Sequence, residues 1–109
     1  MNPLHTHIVE SKAVKDLIIV RECSKDYPIE KSNIYALNSN GDIVWFAELP
    51  SPGNIYVNPV VWDSCINPNA SSWNDYYLKD ETSFVVSSAQ ETVCIEYLTG
   101  KISSKEFAK

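Results

Sequence analysis

Two residue types on which enzymes and nucleic-acid-binding proteins depend are scarce in this 109-residue chain. It has one arginine, Arg21, and two histidines, His5 and His7, both close to the N-terminus. Histidine is the most frequent general base, and arginine is the usual side chain for binding phosphate and carboxylate groups. The three glycines fall in separate turns and form no phosphate-binding loop. We therefore predict that the protein is not an enzyme.

The chain also lacks a disulfide framework and long apolar runs. Its three cysteines, Cys23, Cys65 and Cys94, are odd in number and widely spaced, which is typical of free thiols and not of a zinc site. The longest aliphatic run, residues 17–20, is far shorter than the roughly 20 residues that span a bilayer. The first residues do not follow the pattern of a signal peptide. We expect a cytoplasmic protein with neither a metal nor a cofactor.

Charge is present but unevenly distributed. Between residues 40 and 100, eight carboxylates stand against one base, Lys79, so this segment carries −7. Residues 1–39 balance at zero and residues 101–109 carry +2, which gives the total of −5. The acidic segment also holds all three tryptophans and four of the six tyrosines. This charge disfavours direct binding to nucleic acid or to an anionic membrane, and it favours a basic protein partner.

Runs of β-branched and aromatic residues predict a mainly β fold in a single domain over residues 1–109. The clearest signal is a hairpin across residues 33–49, because the Asn-Gly pair at 40–41 accepts positive φ between two apolar segments. Residues 9–16 fit either a short helix or a first strand, and we prefer the strand. Residues 63–81 have no sustained period and predict a long loop. Further strands are predicted over residues 16–22, 55–62, 83–88, 92–97 and 101–107.

The long loop is the predicted contact surface. Loops of this length inside compact domains are usually functional or disordered, and its aromatic side chains favour a contact. Such rings supply binding energy, while carboxylates pair with a partner's lysines and arginines or occupy the phosphate sites of a ribonuclease. The alternative is that the acidic residues form only a solvated surface. The predicted partner-binding residues are Asp63, Trp73, Asp75, Tyr76, Tyr77, Asp80 and Glu81.

Two segments share one pattern, in which an apolar strand is followed by a turn closing on glycine and by an outgoing strand. They lie at residues 34–45 and 93–102, with their glycines at Gly41 and Gly100. The pattern resembles the repeat of quinoprotein-type β-propeller blades. A chain of this length holds about two blades, so the resemblance implies a half β-propeller, an antiparallel fold of seven or eight strands in curved sheets. It implies no quinone cofactor, because that site needs a complete ring.

A small acidic β-domain of this kind also resembles the immunity proteins of bacterial contact-dependent growth inhibition systems. The resemblance implies a cytoplasmic monomer that binds one-to-one to a basic nuclease toxin domain, including ribonuclease A-like ones, and occludes its active site. The residues leave a second function open. Exposed sheet edges pair readily with other chains, so the protein can instead be a non-catalytic scaffold or a self-associating β-domain.

Overall fold

The computed structural model describes residues 2–72 and 75–107. Regular structure in these residues consists of β-strands, and they contain no α-helix. It follows that no helix in the described ranges is long and apolar enough to cross a membrane. In chain order the strands are β1 (Ile8–Val14), β2 (Leu17–Glu22), β3 (Ile34–Leu37), β4 (Ile43–Phe46), β5 (Ser64–Ile66), β6 (Tyr77–Lys79), β7 (Ser83–Ser87), β8 (Glu91–Glu96) and β9 (Ile102–Phe107).

The strands are arranged in three antiparallel sheets. The first four follow one another in a meander ordered β1-β2-β3-β4, and the last three form a second meander ordered β7-β8-β9. Between them, β5 pairs with β6 in a two-stranded sheet. The predicted mainly β, antiparallel fold is therefore confirmed. The expectation of seven or eight strands is too low, because the described residues form nine strands in separate sheets of four, two and three.

The hairpin predicted at residues 33–49 is present as β3 and β4. Gly41 closes its turn with φ +84° and donates its N–H to the carbonyl of Asn38 at 3.0 Å. The side-chain oxygen of Asn38 accepts the N–H groups of Asn40 and Asp42 at 2.9 and 3.0 Å. The turn is thus fixed by local hydrogen bonds, and within the predicted Asn-Gly pair it is Gly41, not Asn40, that has a positive φ. The preferred strand at residues 9–16 is also confirmed, since β1 covers most of that range.

Two predictions about the middle of the chain are wrong. Residues 63–81 are not a loop throughout, because they contain β5 and β6, each only three residues long and too short to show a period of 2. Residues 55–62 form no regular strand and make only isolated bridges from Tyr56 and Val61. Pro59 offers no N–H to a ladder, and the side chain of Asn33 bonds both the N–H and the carbonyl of Tyr56 instead.

The hydrophobic core lies between the two larger sheets. Phe84 and Tyr97 stack with ring centroids 5.5 Å apart, and Trp62 lies 5.7 Å from Phe84. Trp45 lies on β4, and its indole N–H donates to the carbonyl of Tyr97, which follows β8 of the other sheet, at 3.0 Å. Rings from both halves of the chain therefore pack into one cluster. Its buried members are Ile19, Ile34, Ala36, Ala47, Tyr56, Val60, Phe84, Val86, Val93, Ile95 and Tyr97.

A buried carboxylate attaches the N-terminal segment to the four-stranded sheet. Glu22, the last residue of β2, has no exposed surface. Its oxygens accept the backbone N–H groups of Leu4 at 2.6 Å and of His5 and Thr6 at 3.0 Å. The Tyr35 hydroxyl donates a fourth hydrogen bond at 2.5 Å. Burial acts to raise the pKa of Glu22, but these hydrogen bonds outweigh it and hold the pKa below its ordinary value of 4.5.

A second carboxylate joins the sheet to the irregular segment that follows β4. Glu10 on β1 pairs with Arg21 on β2, with Nε and Oε2 2.5 Å apart and both side chains largely buried. The same oxygen accepts the N–H of Val60 at 2.9 Å. The single arginine of the chain is thus used inside the fold, where its partner also satisfies a backbone donor.

We predict that Glu22→Gln lowers the free energy of unfolding by about 2–4 kcal/mol at neutral pH, because a neutral amide cannot accept all four hydrogen bonds. The folded-state pKa of Glu22 lies below its unfolded value, so its stabilisation is fully present above about pH 4.5 and is lost as the pH falls through the folded-state pKa. Urea unfolding across this pH range is the measurement. The difference in the free energy of unfolding between wild type and variant should become smaller as the pH falls. A difference that does not change with pH would contradict the role given to the ionised Glu22. Glu30 is exposed, so Glu30→Gln serves as the control.

A second prediction concerns the turn between β8 and β9. A Cβ atom added at Gly100 would lie 2.5 Å from Cε3 of Trp45, and Gly100 has φ +72°. Gly41 has a similar φ of +84° but no atom within 4 Å of such a Cβ, so it is a matched control for backbone strain alone. We expect Gly41→Ala to lower the free energy of unfolding by about 1 kcal/mol and Gly100→Ala to lower it by about 3 kcal/mol, both measured by urea unfolding. Equal losses would show that the contact with Trp45 is unimportant.

Candidate functional site

Six of the seven predicted contact residues lie on a short hairpin. β5 and β6 pair in the register Ser64↔Lys79, Cys65↔Leu78 and Ile66↔Tyr77. One hydrogen bond extends this ladder at each end, from Asp80 N to Asp63 O at 2.9 Å and from Asn67 N to Tyr76 O at 2.8 Å. We call the described part of this segment, residues 63–72 and 75–81, the acidic hairpin. Its predicted carboxylates are divided between the two ends of the ladder and do not form one cluster.

At the open end of the acidic hairpin, Asp63 is used in internal contacts. Its carboxylate accepts the hydroxyl of Tyr97 at 2.8 Å, its N–H donates to the same hydroxyl oxygen at 2.9 Å, and Lys12 Nζ lies 3.8 Å away. Burial raises the pKa of Tyr97, and the carboxylates of Asp63 and Asp80 raise it further. Asp63 also has a positive φ of 51°. It therefore fixes the start of the hairpin.

Asp80 and Glu81 lie at the same end and differ in what they contact. Asp80 accepts the N–H of Thr82 at 2.8 Å and its hydroxyl at 2.5 Å, which shapes the turn into β7. Glu81 is exposed and lies 4.0 Å from the exposed ammonium group of Lys79. Exposed pairs of this kind contribute little to stability. The carboxylate of Glu81 therefore remains accessible to a partner.

At the loop end, Asp75 forms a small turn with two serines. Its carboxylate accepts the N–H of Ser72 at 3.0 Å and that of Ser71 at 3.4 Å, as well as both serine hydroxyls. These backbone hydrogen bonds, that of Ser72 foremost, lower the pKa of Asp75 below its ordinary value of 3.8. Asp75 is therefore charged at neutral pH and holds a fixed position at the tip of the hairpin.

The aromatic residues of the acidic hairpin differ in exposure. Tyr76 packs against a small second core formed by Ile66, Val85 and Cys94. Its ring meets that of Tyr77 edge-on, with centroids 4.8 Å apart. Tyr77 is 42% exposed. Tyr76 is thus mainly structural, whereas Tyr77 presents its ring at the surface. Trp73, the remaining predicted contact residue, lies outside the described residues.

Sequence reasoning missed Leu78, which is 47% exposed between Tyr77 and Lys79. An exposed leucine is informative only when its strand and neighbours are known, and this strand was not predicted. Leu78 lies at the edge of an open groove of about 610 Å³. The groove separates the acidic hairpin from β9. It is lined by Cys65, Ile66, Pro68, Leu78, Lys79, Asp80, Ser103, Ser104 and Lys105.

Metal ligation and similarity to known proteins give no further assignment. Across residues 2–72 and 75–107, no three histidine, cysteine, aspartate or glutamate side chains converge as metal ligands. No protein-family model, curated protein or solved structure matches the chain. The geometry and charge of the acidic hairpin are therefore the remaining indications of function.

We predict that the exposed and buried residues of this hairpin respond differently to truncation. Ile66 is 5% exposed, so Ile66→Ala should lower the free energy of unfolding by about 2–3 kcal/mol. Leu78 on the neighbouring strand is exposed, and Leu78→Ala should change the free energy of unfolding by less than about 0.5 kcal/mol. Urea unfolding followed by fluorescence tests both. A large loss for Leu78→Ala would mean that its side chain supports the fold and is not free to bind a partner.

Proposed function

We propose that the protein is an immunity protein, which binds the active site of a basic nuclease toxin domain with its acidic hairpin and so blocks substrate access. The observation that carries the proposal is the exposure of Tyr77 and Leu78, which project from opposite faces of the edge strand β6, between acidic groups at both ends of the hairpin. Apolar anchors bordered by charge are the usual composition of a protein-binding surface.

Each residue of the hairpin has a separate role in this proposal. Asp75 and Asp80 are held by their turns, so their charge is presented to a basic partner without further ordering. Glu81 adds an accessible charge, and Tyr77 and Leu78 supply apolar contact area. Asp63 and Tyr76 position the hairpin. The carboxylates then pair with the lysines and arginines that bind substrate phosphates in the partner's active site.

The net charge and the fold are compatible with this role. A chain of charge −5 attracts a basic domain over long range and accelerates its association, an effect that salt screens. The four-stranded meander β1–β4 has the strand order of a propeller blade, and β7–β9 supply three strands of a second. The half-propeller arrangement belongs to the proposal, as do the cytoplasmic location, the absence of catalysis and the binding of one monomer to one toxin domain.

A different observation favours a second function, self-association. β4 is an edge strand of the four-stranded sheet, and it exposes Ile43, Val44 and Phe46. Exposed apolar edge strands can pair with another copy of the chain. Association of this kind depends on concentration and is insensitive to salt, whereas the proposed toxin complex weakens as salt rises. Light scattering of the protein alone at two salt concentrations distinguishes the two functions.

We predict tight one-to-one binding between this protein and the nuclease domain encoded immediately upstream of its gene, measured by titration calorimetry at two salt concentrations. Asp75→Asn, Asp80→Asn and Glu81→Gln together should weaken binding about tenfold or more, because they remove three charges. At position 80 the single oxygen of asparagine can still accept both turn hydrogen bonds, because both end on one oxygen of Asp80. At position 75 asparagine can keep the hydrogen bonds from Ser72 but loses those from Ser71, so thermal unfolding is used to check that the triple variant is folded. The loss should be smaller at high salt.

A matched control removes the same charge elsewhere. Asp16, Glu30 and Asp42 are exposed and lie outside the acidic hairpin, so Asp16→Asn, Glu30→Gln and Asp42→Asn together should leave affinity within about twofold apart from the long-range effect of net charge. Lysozyme, an unrelated basic protein, should not bind tightly. If both triple variants lose affinity equally, net charge and not the hairpin determines binding, and the proposed site is wrong.

A further inference from the structure

Two cysteines that the chain separates by 29 residues meet beside the groove. Cys65 lies on β5 and Cys94 on β8, and their Sγ atoms are 2.8 Å apart, with the Cys94 thiol donating to Cys65. This separation is less than 1 Å longer than the sulfur–sulfur bond of a disulfide, about 2.05 Å. Both are free thiols, as the sequence predicts, but their contact could not be expected from their spacing.

The two thiols differ in access to solvent. Cys94 is fully buried in the second core, whereas Cys65 is half-buried and lines the open groove of about 610 Å³. Ser104 on β9 hydrogen-bonds to Cys65 from the far side of that groove. A small molecule that enters the groove therefore meets Cys65 first, and Cys94 can react only with an adduct already formed on Cys65.

We propose that Cys65 and Cys94 form a reversible redox site, in which a small-molecule disulfide such as oxidised glutathione reacts with Cys65 in the groove and Cys94 resolves the adduct. The third cysteine, Cys23, has no part in it. The inference is independent of the proposed function, since its test needs no protein partner.

The reaction consists of two thiol–disulfide exchanges. The Cys65 thiolate attacks one sulfur of oxidised glutathione, so a mixed disulfide forms, the glutathione disulfide bond breaks, and one glutathione thiolate leaves and takes up the proton. The Cys94 thiolate then attacks Sγ of Cys65, and the second glutathione leaves with the proton of Cys94. Overall, two protein thiols and one oxidised glutathione give one protein disulfide and two reduced glutathiones.

The surroundings of Cys65 make its oxidation slow and make the rate of oxidation dependent on pH. Burial raises the pKa of the Cys65 thiol to about 11, and the hydrogen bond and charge of Cys94 add to the effect. Only the thiolate attacks a disulfide, so the rate of oxidation should rise about tenfold for each unit of pH below that value. A reactive surface cysteine with an ordinary pKa would level off at a lower pH.

Formation of the bond would join the acidic hairpin to the three-stranded sheet. At present β5 contacts β7 and β8 through packing and through the hydrogen bond of the Cys94 thiol to the Ser64 carbonyl, and its own sheet has only one partner strand. A covalent bond across 29 residues restricts the unfolded chain and should raise the midpoint of thermal unfolding by roughly 10 °C. The oxidised protein would therefore be distinguishable by both mass and stability.

The experiment uses Cys23→Ser as the parent protein and oxidised glutathione as the probe, at mildly alkaline pH. We expect intact mass spectrometry to show a loss of about 2 Da with no lasting adduct. Peptide mapping should show Cys65 linked to Cys94. The rise in the thermal midpoint should disappear when dithiothreitol is added. Accumulation of glutathione adducts without the internal link, or no reaction at any pH below about 11, would overturn the proposal.

Two single variants assign the order of the steps. Cys94→Ala in the same parent should stop at one glutathione on Cys65, a gain of about 305 Da. Cys65→Ala should stay unmodified while folded, because Cys94 is buried. Thermal unfolding of each variant shows that it is folded before it is treated. Equal rates of adduct formation in the two variants would contradict the assignment of Cys65 as the first thiol to react.

Discussion

The described part of the fold depends on a charged group that it has removed from water. Glu22 is completely buried, yet three backbone N–H groups and the Tyr35 hydroxyl compensate its carboxylate. A charge in this position is costly unless every oxygen lone pair has a donor, so the N-terminal segment must fold over the end of β2. The Glu10–Arg21 pair does the same for the segment around Val60. Charge compensation thus determines where two irregular segments of the chain lie.

Much of the fold was predictable because its strongest local signals agree with its tertiary structure. The Asn-Gly turn at 40–41, the apolar run of β2 and the strands of the second meander all follow from residue type and period. The prediction failed where a side chain replaced a strand partner. The Asn33 side chain hydrogen-bonds both backbone groups of Tyr56, and a local sequence pattern does not predict a hydrogen bond across 23 residues.

The candidate site was predictable in part and for a related reason. Composition identified an acidic and aromatic segment, but it did not distinguish a carboxylate that shapes a turn from one that faces solvent. Asp63 binds the Tyr97 hydroxyl across 34 residues, and only the folded structure reveals this use. Leu78 and the Cys65–Cys94 contact were missed because both depend on the three-residue strands, which are too short to have a recognisable period.

The contact between Trp45 and the β8–β9 turn also has a consequence for how the chain folds. Each meander is made of neighbouring strands, so it closes only short loops, whereas the indole of Trp45 bonds the Tyr97 carbonyl across 52 residues. Loop closure over that separation costs more entropy than a hairpin and slows the search for the native topology. We expect the two meanders to form early and their docking, with Trp45 seated on Gly100, to limit the folding rate.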